Sequence, residues 1–166
     1  MIKTVGGIAA GLFSTALLGY GISIFSLVKN IEFAFLGIQR QSSNSVLGSV
    51  IAPRFLIATQ ITNPSRVTVF LKAIFLTVYV ETEQDKFIEI GTINQPNLNL
   101  EITGKNNTLL GIQFATDLVK MVNLVARGGG AIYRALLSGR IPKLRFTGNI
   151  LVNKLRKRID IIHEFE

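Results

Sequence analysis

The sequence contains no cysteine and no tryptophan, and its one histidine, His163, lies near the end of the 166-residue chain. The absence of cysteine excludes a disulfide framework, a thiolate metal site and a cysteine nucleophile. Charged residues make up only 17% of the chain and apolar residues 48%, the reverse of the balance in disordered proteins. Because the mean hydropathy is +0.42, the composition indicates a folded chain of one domain, part of which lies in an apolar environment.

The first thirty residues contain a long uncharged run. No charge occurs between Lys3 and Lys29, and a helix of about 20 apolar residues is enough to cross a bilayer. Residues 1–30 are therefore predicted to form a transmembrane anchor, rather than a signal peptide, whose apolar region is shorter and ends in a small-x-small site. A helix buried in a protein assembly stays an alternative, and the flanking charges leave the orientation open. The residues assigned to the anchor are Val5, Gly7, Gly11, Leu17, Leu18, Ile24 and Val28.

Beyond the anchor, runs rich in β-branched and aromatic residues alternate with turn residues. Strands are predicted over residues 31–41, 55–62, 67–80, 87–93, 97–103, 108–116, 140–153 and 155–162. Lys72 alone interrupts the third run, which predicts a strand buried on much of both faces. Apolar residues at helical spacing predict a helix over residues 117–127, ended by three glycines, and a second helical piece over residues 131–137. The pattern as a whole predicts a mainly β domain over residues 31–166, a β-sandwich with one short helix at an end or edge.

The order of short motifs along this domain resembles a known family. The motifs are Ile61-Thr62-Asn63-Pro64-Ser65, Phe87-Ile88-Glu89-Ile90-Gly91, Leu98-Asn99-Leu100-Glu101-Ile102, Asn107-Thr108-Leu109 and Gly148-Asn149-Ile150-Leu151-Val152. Over about residues 31–162 they resemble the LEA14-like domain of the group 2 late-embryogenesis-abundant proteins, also called the water stress and hypersensitive response (WHy) domain. The resemblance implies a sandwich of about seven strands, like those of immunoglobulin and fibronectin III domains, often behind a membrane anchor and without catalytic residues.

Asn63 and Pro64 form the sharpest of these motifs, and the residue types themselves explain it. Pro64 cannot donate to a strand ladder and therefore ends the strand. Asn63 can hydrogen-bond nearby backbone groups at the bend. The pair is thus interpreted as a fold motif that needs no ligand.

No catalytic, metal or cofactor chemistry is predicted. His163 has neither a second histidine nor a cysteine to complete a metal site, and no nucleophile turn accompanies it, so we expect a solvated terminal residue. The acidic residues Glu81, Glu83, Asp85 and Glu89 fit no calcium loop and are interpreted as a charged hairpin tip. We therefore expect a protein that is not an enzyme and that holds no cofactor.

A basic stretch lies near the end of the chain. Residues 140–158 contain no acid, and if the last two strands pair, their cations concentrate on one end or face. Anionic lipid, nucleic acid or an acidic protein could bind there, although an ordinary charged surface is the alternative. Phe146 is the only aromatic residue of the stretch, which disfavours nucleic acid. The predicted basic surface comprises Arg140, Lys143, Arg145, Lys154, Arg156, Lys157 and Arg158.

These observations predict a non-catalytic, single-pass membrane protein whose LEA14-like domain binds or scaffolds partners. The expected partners are the lipid bilayer and either other proteins or further copies of the chain, with no nucleic acid and no small-molecule substrate. The alternative is a structural component of a large membrane-associated assembly, such as a lipid-containing virus particle, in its membrane or associated with its capsid. In both cases, the segment 117–139 is a candidate interaction element.

Overall fold

A computed structural model of the protein describes residues 27–41, 53–138, 140 and 143–164. Within these ranges the chain is mainly β, as predicted. The strands are β1 (Glu32–Gln41), β2 (Arg54–Asn63), β3 (Val69–Glu83), β4 (Lys86–Gln95), β5 (Leu100–Ile102), β6 (Asn106–Thr116), β7 (Leu144–Val152) and β8 (Leu155–His163). The helices α1 (Leu118–Ala126) and α2 (Gly130–Leu137) connect β6 to β7, so both predicted helical pieces are confirmed.

The strands form one curled antiparallel sheet in the order β1-β2-β6-β4-β3-β7-β8, and β5 pairs with the beginning of β3. The sheet is narrowest between β4 and β6, which share two residue pairs. Its two end regions approach each other, since the rings of Phe35 on β1 and Phe146 on β7 lie 4.3 Å apart between centroids. The group β1-β2-β6 therefore faces the group β4-β3-β7-β8 across a single core, an arrangement similar to a β-sandwich.

Gly91 makes the narrow junction between β4 and β6 possible. A Cβ atom at this position would lie 2.7 Å from the carbonyl oxygen of Ala115 and 2.8 Å from the ring of Phe114. Both distances are too short for a side chain, so only glycine allows the two strands to come this close.

Alternating residues of each strand fill the core. In β2, for example, Phe55, Ile57 and Ile61 point inward and are buried. The core also includes Val28 and Ile31, which precede β1. Val28, assigned to the anchor from the sequence, thus packs with the β domain.

Two sequence predictions about strands were wrong in part. The predicted strand over residues 97–103 is reduced to Leu100–Ile102, because Asn97 and Asn99 have positive φ angles of 60° and 49°, which interrupt the extended backbone. The strand β3 is buried on one face only. Its outward residues Phe70 and Phe75 are 36% and 45% exposed.

The predicted anchor lies almost entirely outside the described residues. Val5, Gly7, Gly11, Leu17, Leu18 and Ile24 precede residue 27, where the description begins. Among the residues that are described, no helix has the length and apolar character needed to span a bilayer.

Candidate interaction surfaces

The strand ends define two opposite ends of the domain. The entry pole comprises residues 27–31, the loop 64–68, and the turns 103–105 and 153–154, where β1, β2, β5 and β7 begin or end. The helix pole comprises α1, α2, the turn between β3 and β4, and the beginning of β7. The ten residues of β2 run from one pole to the other, a distance of about 30 Å.

The loops of the entry pole are joined by backbone hydrogen bonds. The amide of Lys105 donates to the carbonyl oxygen of Ser65 at 2.7 Å. The amide of Asn153 donates to the carbonyl oxygen of Phe70 at 2.7 Å, and the side-chain oxygen of Asn153 accepts from the amide of Phe70 at 2.9 Å. Three separate parts of the sequence therefore form one continuous surface.

Asn63 fixes the loop 64–68 to the rest of this pole. Its side chain is buried, and Nδ2 donates to the carbonyl oxygens of Val67 at 2.9 Å and Ile102 at 3.1 Å. Its Oδ1 accepts from the amide of Ser65 at 3.2 Å and from the Ser65 hydroxyl at 2.7 Å. Pro64 follows at the exposed end of β2. All four contacts of Asn63 lie within the protein, which is the arrangement of a fold motif.

Lys157, one of the predicted surface cations, points inward and is half-buried. Its Nζ donates to the carbonyl oxygens of Lys29, at 2.8 Å, and of Ile31. Burial lowers the pKa of Lys157, and the nearby carboxylate of Glu32 opposes this shift. The ammonium group thereby ties the segment that leads into β1 to the hairpin of β7 and β8.

Two further predicted cations are paired with carboxylates. Arg145 donates through Nε and Nη2 to the two carboxylate oxygens of Asp160, each at 2.8 Å. This bidentate pair raises the pKa of Arg145 and lowers the pKa of Asp160. Near the helix pole, Nζ of Lys143 lies 3.3 Å from Oε1 of Glu81.

The seven cations of residues 140–158 are spread over the domain. Arg140 follows α2 at the helix pole, whereas Lys154 lies in the turn of the entry pole. Arg156 and Arg158 are exposed on the outward side of β8. The predicted hairpin of β7 and β8 is confirmed. The seven cations nevertheless share no single surface, because each strand spans about 27 Å and alternates its side chains between two faces.

A second basic cluster was not predicted from the sequence, which singled out only one of its members, Lys154. Lys29 lies in the helical turn that precedes β1, and Arg66, Lys105 and Lys154 lie in three loops. These four segments are distant in sequence but lie together at the entry pole. No local pattern marks them, because only the pairing of the strands brings these segments together.

The second surface is the exposed side of α1. Asp117 caps this helix through a hydrogen bond from the amide of Lys120 to its Oδ1, 3.1 Å long. Met121 and Leu124 are buried against the domain. Four further apolar side chains are between 44% and 68% exposed, namely Leu118, Val119, Val122 and Val125. Part of this side, together with Tyr133 of α2, lines a shallow apolar groove, so the segment 117–139 carries an uncovered apolar surface.

The structure corrects one prediction about His163. It is the last residue of β8, half-buried, with its ring centroid 6.2 Å from that of Phe35. The expectation of a solvated terminal residue was wrong, because the alternation of β8 directs this side chain toward the core. Within the described ranges, no three His, Asp or Glu side chains are grouped so that they could hold a metal ion.

The sequence matches no protein-family model and no curated protein. A solved structure, described as a crystal structure of a protein from Archaeoglobus fulgidus, is similar to this chain with a TM-score of 0.46 and 10% sequence identity. The similarity covers 81% of this chain and 91% of that chain.

Proposed function

We propose that this chain is a non-catalytic, single-pass membrane protein that binds or scaffolds partners through a LEA14-like β-sandwich. The observation that carries the proposal is the place where the chain enters the β domain. Residues 27 and 28, the last two of the uncharged run, lie at the entry pole, and Lys157 holds the residues that follow through the carbonyl groups of Lys29 and Ile31. An anchor formed by the uncharged run therefore holds the entry pole near the bilayer.

The LEA14-like identity of the domain is supported by its layers and by Asn63. The two halves of the curled sheet face each other, as in an immunoglobulin- or fibronectin III-like sandwich. Asn63 and Pro64 stand at the end of β2, before the long strand β3, which is the strand context in which the resemblance was seen.

The two poles then have different roles. With the entry pole at the membrane, α1 and α2 lie about 30 Å farther from the lipid, since β2 separates the two ends. Partners that bind the helix pole are accordingly held at a defined height above the bilayer.

The anchor is tested by flotation of the full chain with vesicles of phosphatidylcholine in high salt, where attraction between exposed charges is screened. We expect the wild-type protein to float with the vesicles. The double variant Leu17→Lys/Leu18→Lys places two charges at the centre of the apolar run and should stay at the bottom of the gradient. Flotation of both proteins to the same extent, or of neither, contradicts the anchor.

A second candidate function, a structural component of a membrane-associated assembly, is favoured by the uncovered face of α1. The occupant we assign to this face is a second copy of the chain. The exposed side of α1, which includes Val119, forms a ridge beside the apolar groove between α1 and α2. Each of two copies can therefore place its ridge in the groove of the other.

Mass measurement of the full chain in detergent distinguishes the two functions. An assembly component forms oligomers that Val122→Glu dissociates, because a carboxylate in the contact loses its hydration. The control Val67→Glu makes the same change on an exposed valine at the opposite pole and should leave the oligomers intact. A monodisperse monomer of the wild-type protein counts against the assembly.

A further inference from the structure

We infer that the entry pole is a recognition surface for the anionic headgroups of a phospholipid bilayer. The inference rests on the proposed membrane anchoring and adds which lipid the domain contacts and through which residues. The surface is made by four cations, one from each of the four segments of this pole: Lys29, Arg66, Lys105 and Lys154.

The backbone brings these cations together in a fixed arrangement. A Cβ atom on Gly104 would lie 2.5 Å from the carbonyl carbon of Arg66, so the turn 103–105 packs directly on the loop 64–68. The amide of Asn153, the residue before Lys154, is bonded to the beginning of β3, which follows the same loop. The carbonyl oxygen of Lys29 is held by Lys157 on β8. The charged side chains thus leave the domain from neighbouring positions.

The four cations of the entry pole are not paired with carboxylates in the described part of the domain, so they are available to an external partner. Among the described residues, none of the four forms an ion pair, whereas the ion pairs that do occur join Lys86 to Glu83, Lys120 to Glu89, Lys143 to Glu81 and Arg145 to Asp160. Most of the carboxylates in the described part of the domain are on or near the half that contains the helix pole. In the same part, Glu32 and Glu101 are the acids close to the entry pole, and four cations outnumber them.

The same pole exposes apolar side chains between its cations. Val67 is 53% exposed and Phe70 is 36% exposed, and Nζ of Lys72 lies 5.0 Å from the centroid of the Phe70 ring. Apolar groups flanked by lysine and arginine suit the boundary between headgroups and acyl chains, where the apolar part enters and the charges meet phosphate.

A bilayer fits this surface better than a nucleic acid does. Single-stranded nucleic acid requires several aromatic platforms for its bases, and Phe70 is the one aromatic side chain exposed at this pole within the described residues. An anchor in the same chain, in contrast, keeps the lipid headgroups permanently next to these loops.

The absence of cysteine allows a direct test with the full chain. Thr103→Cys at the entry pole and Gln84→Cys at the other end of β3 each provide one site for an environment-sensitive fluorophore. The labelled proteins are reconstituted into vesicles of phosphatidylcholine, with or without phosphatidylglycerol. We expect a blue shift and protection from a water-soluble quencher at position 103 in the anionic vesicles, reversed by high salt, and no change at position 84.

Charge-removal variants show whether the four cations are responsible. Each cation near an anionic membrane surface contributes about a five-fold factor, so removal of three lowers the ratio of docked to undocked domains about 100-fold. The variant is Arg66→Gln/Lys105→Gln/Lys154→Gln. The matched control removes three exposed arginines elsewhere, Arg54→Gln/Arg127→Gln/Arg134→Gln, and should keep the wild-type response.

The inference is overturned if position 103 responds equally in neutral and anionic vesicles, if the triple entry-pole variant responds like the control, or if single-stranded DNA competes the docked domain off the vesicles. Failure of the proposed anchor gives a different result. In that case the protein does not float with neutral vesicles in high salt, yet position 103 still responds to anionic vesicles in low salt.

Discussion

Replacement of the buried Asn63 by alanine should destabilise the domain strongly, because this side chain fixes the loop 64–68. The change removes two donors, to Val67 and Ile102, and the acceptor of two hydrogen bonds from Ser65. Four hydrogen bonds contribute about 4 kcal/mol together, at about 1 kcal/mol each. The Ser65 hydroxyl can still donate to the carbonyl oxygen of Val67 at 3.0 Å, so we expect a net loss of about 2–3 kcal/mol.

Thermal unfolding of the full chain in mild detergent, followed by far-ultraviolet circular dichroism, measures this loss. A change of 2–3 kcal/mol corresponds to a decrease in Tm of about 5–10 °C for a domain of this size. Asn94→Ala is the matched control, because Asn94 is exposed on β4, and its Tm should stay within about 2 °C of the wild type. An effect of Asn63→Ala no larger than that of the control would show that the buried amide does not fix the loop.

Asn63→Asp separates the hydrogen bonds from the packing. The variant keeps the size of the side chain and the acceptor, but it directs a second oxygen at the carbonyl groups of Val67 and Ile102. We expect it to be at least as destabilising as alanine at neutral pH, and less so in acid, where a protonated carboxyl can again donate. A Tm for Asn63→Asp close to that of the wild type at neutral pH would contradict the assigned donor and acceptor roles.

Three further predictions test the fold. Gly91→Ala should lower the free energy of unfolding in urea by about 1–3 kcal/mol, because the added Cβ collides at the junction of β4 and β6. In the control Gly37→Ala the added Cβ meets nothing within 4 Å, so the loss should be less than about 1 kcal/mol. Equal effects of the two variants would contradict the tight junction. Phe35→Ala removes a ring that packs in the core and should cost about 3–5 kcal/mol, so a loss below about 1 kcal/mol would show that β1 does not close onto β7. The hydrogen-bonded salt bridge with Arg145 lowers the pKa of Asp160 in the folded state. The stabilisation by this salt bridge is therefore present above the ordinary pKa of 3.8 and is lost as the pH falls through the lower folded-state pKa. Asp160→Asn should flatten this acid dependence of Tm, and an unchanged profile would refute the role of the salt bridge.

Where the chain has a clean pattern, the sequence was sufficient to predict the local structure. The strand β2 was predicted almost to its ends, because buried Phe55, Ile57 and Ile61 alternate with less buried residues and Pro64 stops the ladder. The helix α1 was predicted from its apolar spacing, and Asp117, the first residue of the predicted range, is its observed N-cap.

The exposed face of α1 could not be predicted, because apolar residues surround most of this helix. The same spacing that indicated a helix included Leu118, Val122 and Val125 as well as Met121. In the structure only Met121 of these four is buried, together with Leu124. Which side of such a helix packs is decided by the tertiary contacts and not by its periodicity.

The basic cluster was also beyond the sequence. A run of cations near the end of the chain attracted the prediction, but a hairpin directs neighbouring side chains to opposite faces, and Lys157 points inward while Arg158 points outward. The cations that meet at the entry pole are those of separate turns, and their proximity follows from strand register.

The proposed arrangement depends above all on the orientation of the β domain, with its entry pole facing the bilayer. Energy transfer from a fluorophore on the full chain to acceptor lipids in anionic vesicles can be compared for Thr103→Cys and Gln84→Cys. We expect efficient transfer from position 103 and much weaker transfer from position 84, which lies beyond the far end of a fifteen-residue strand. Equal transfer from the two positions, or stronger transfer from position 84, would contradict this orientation.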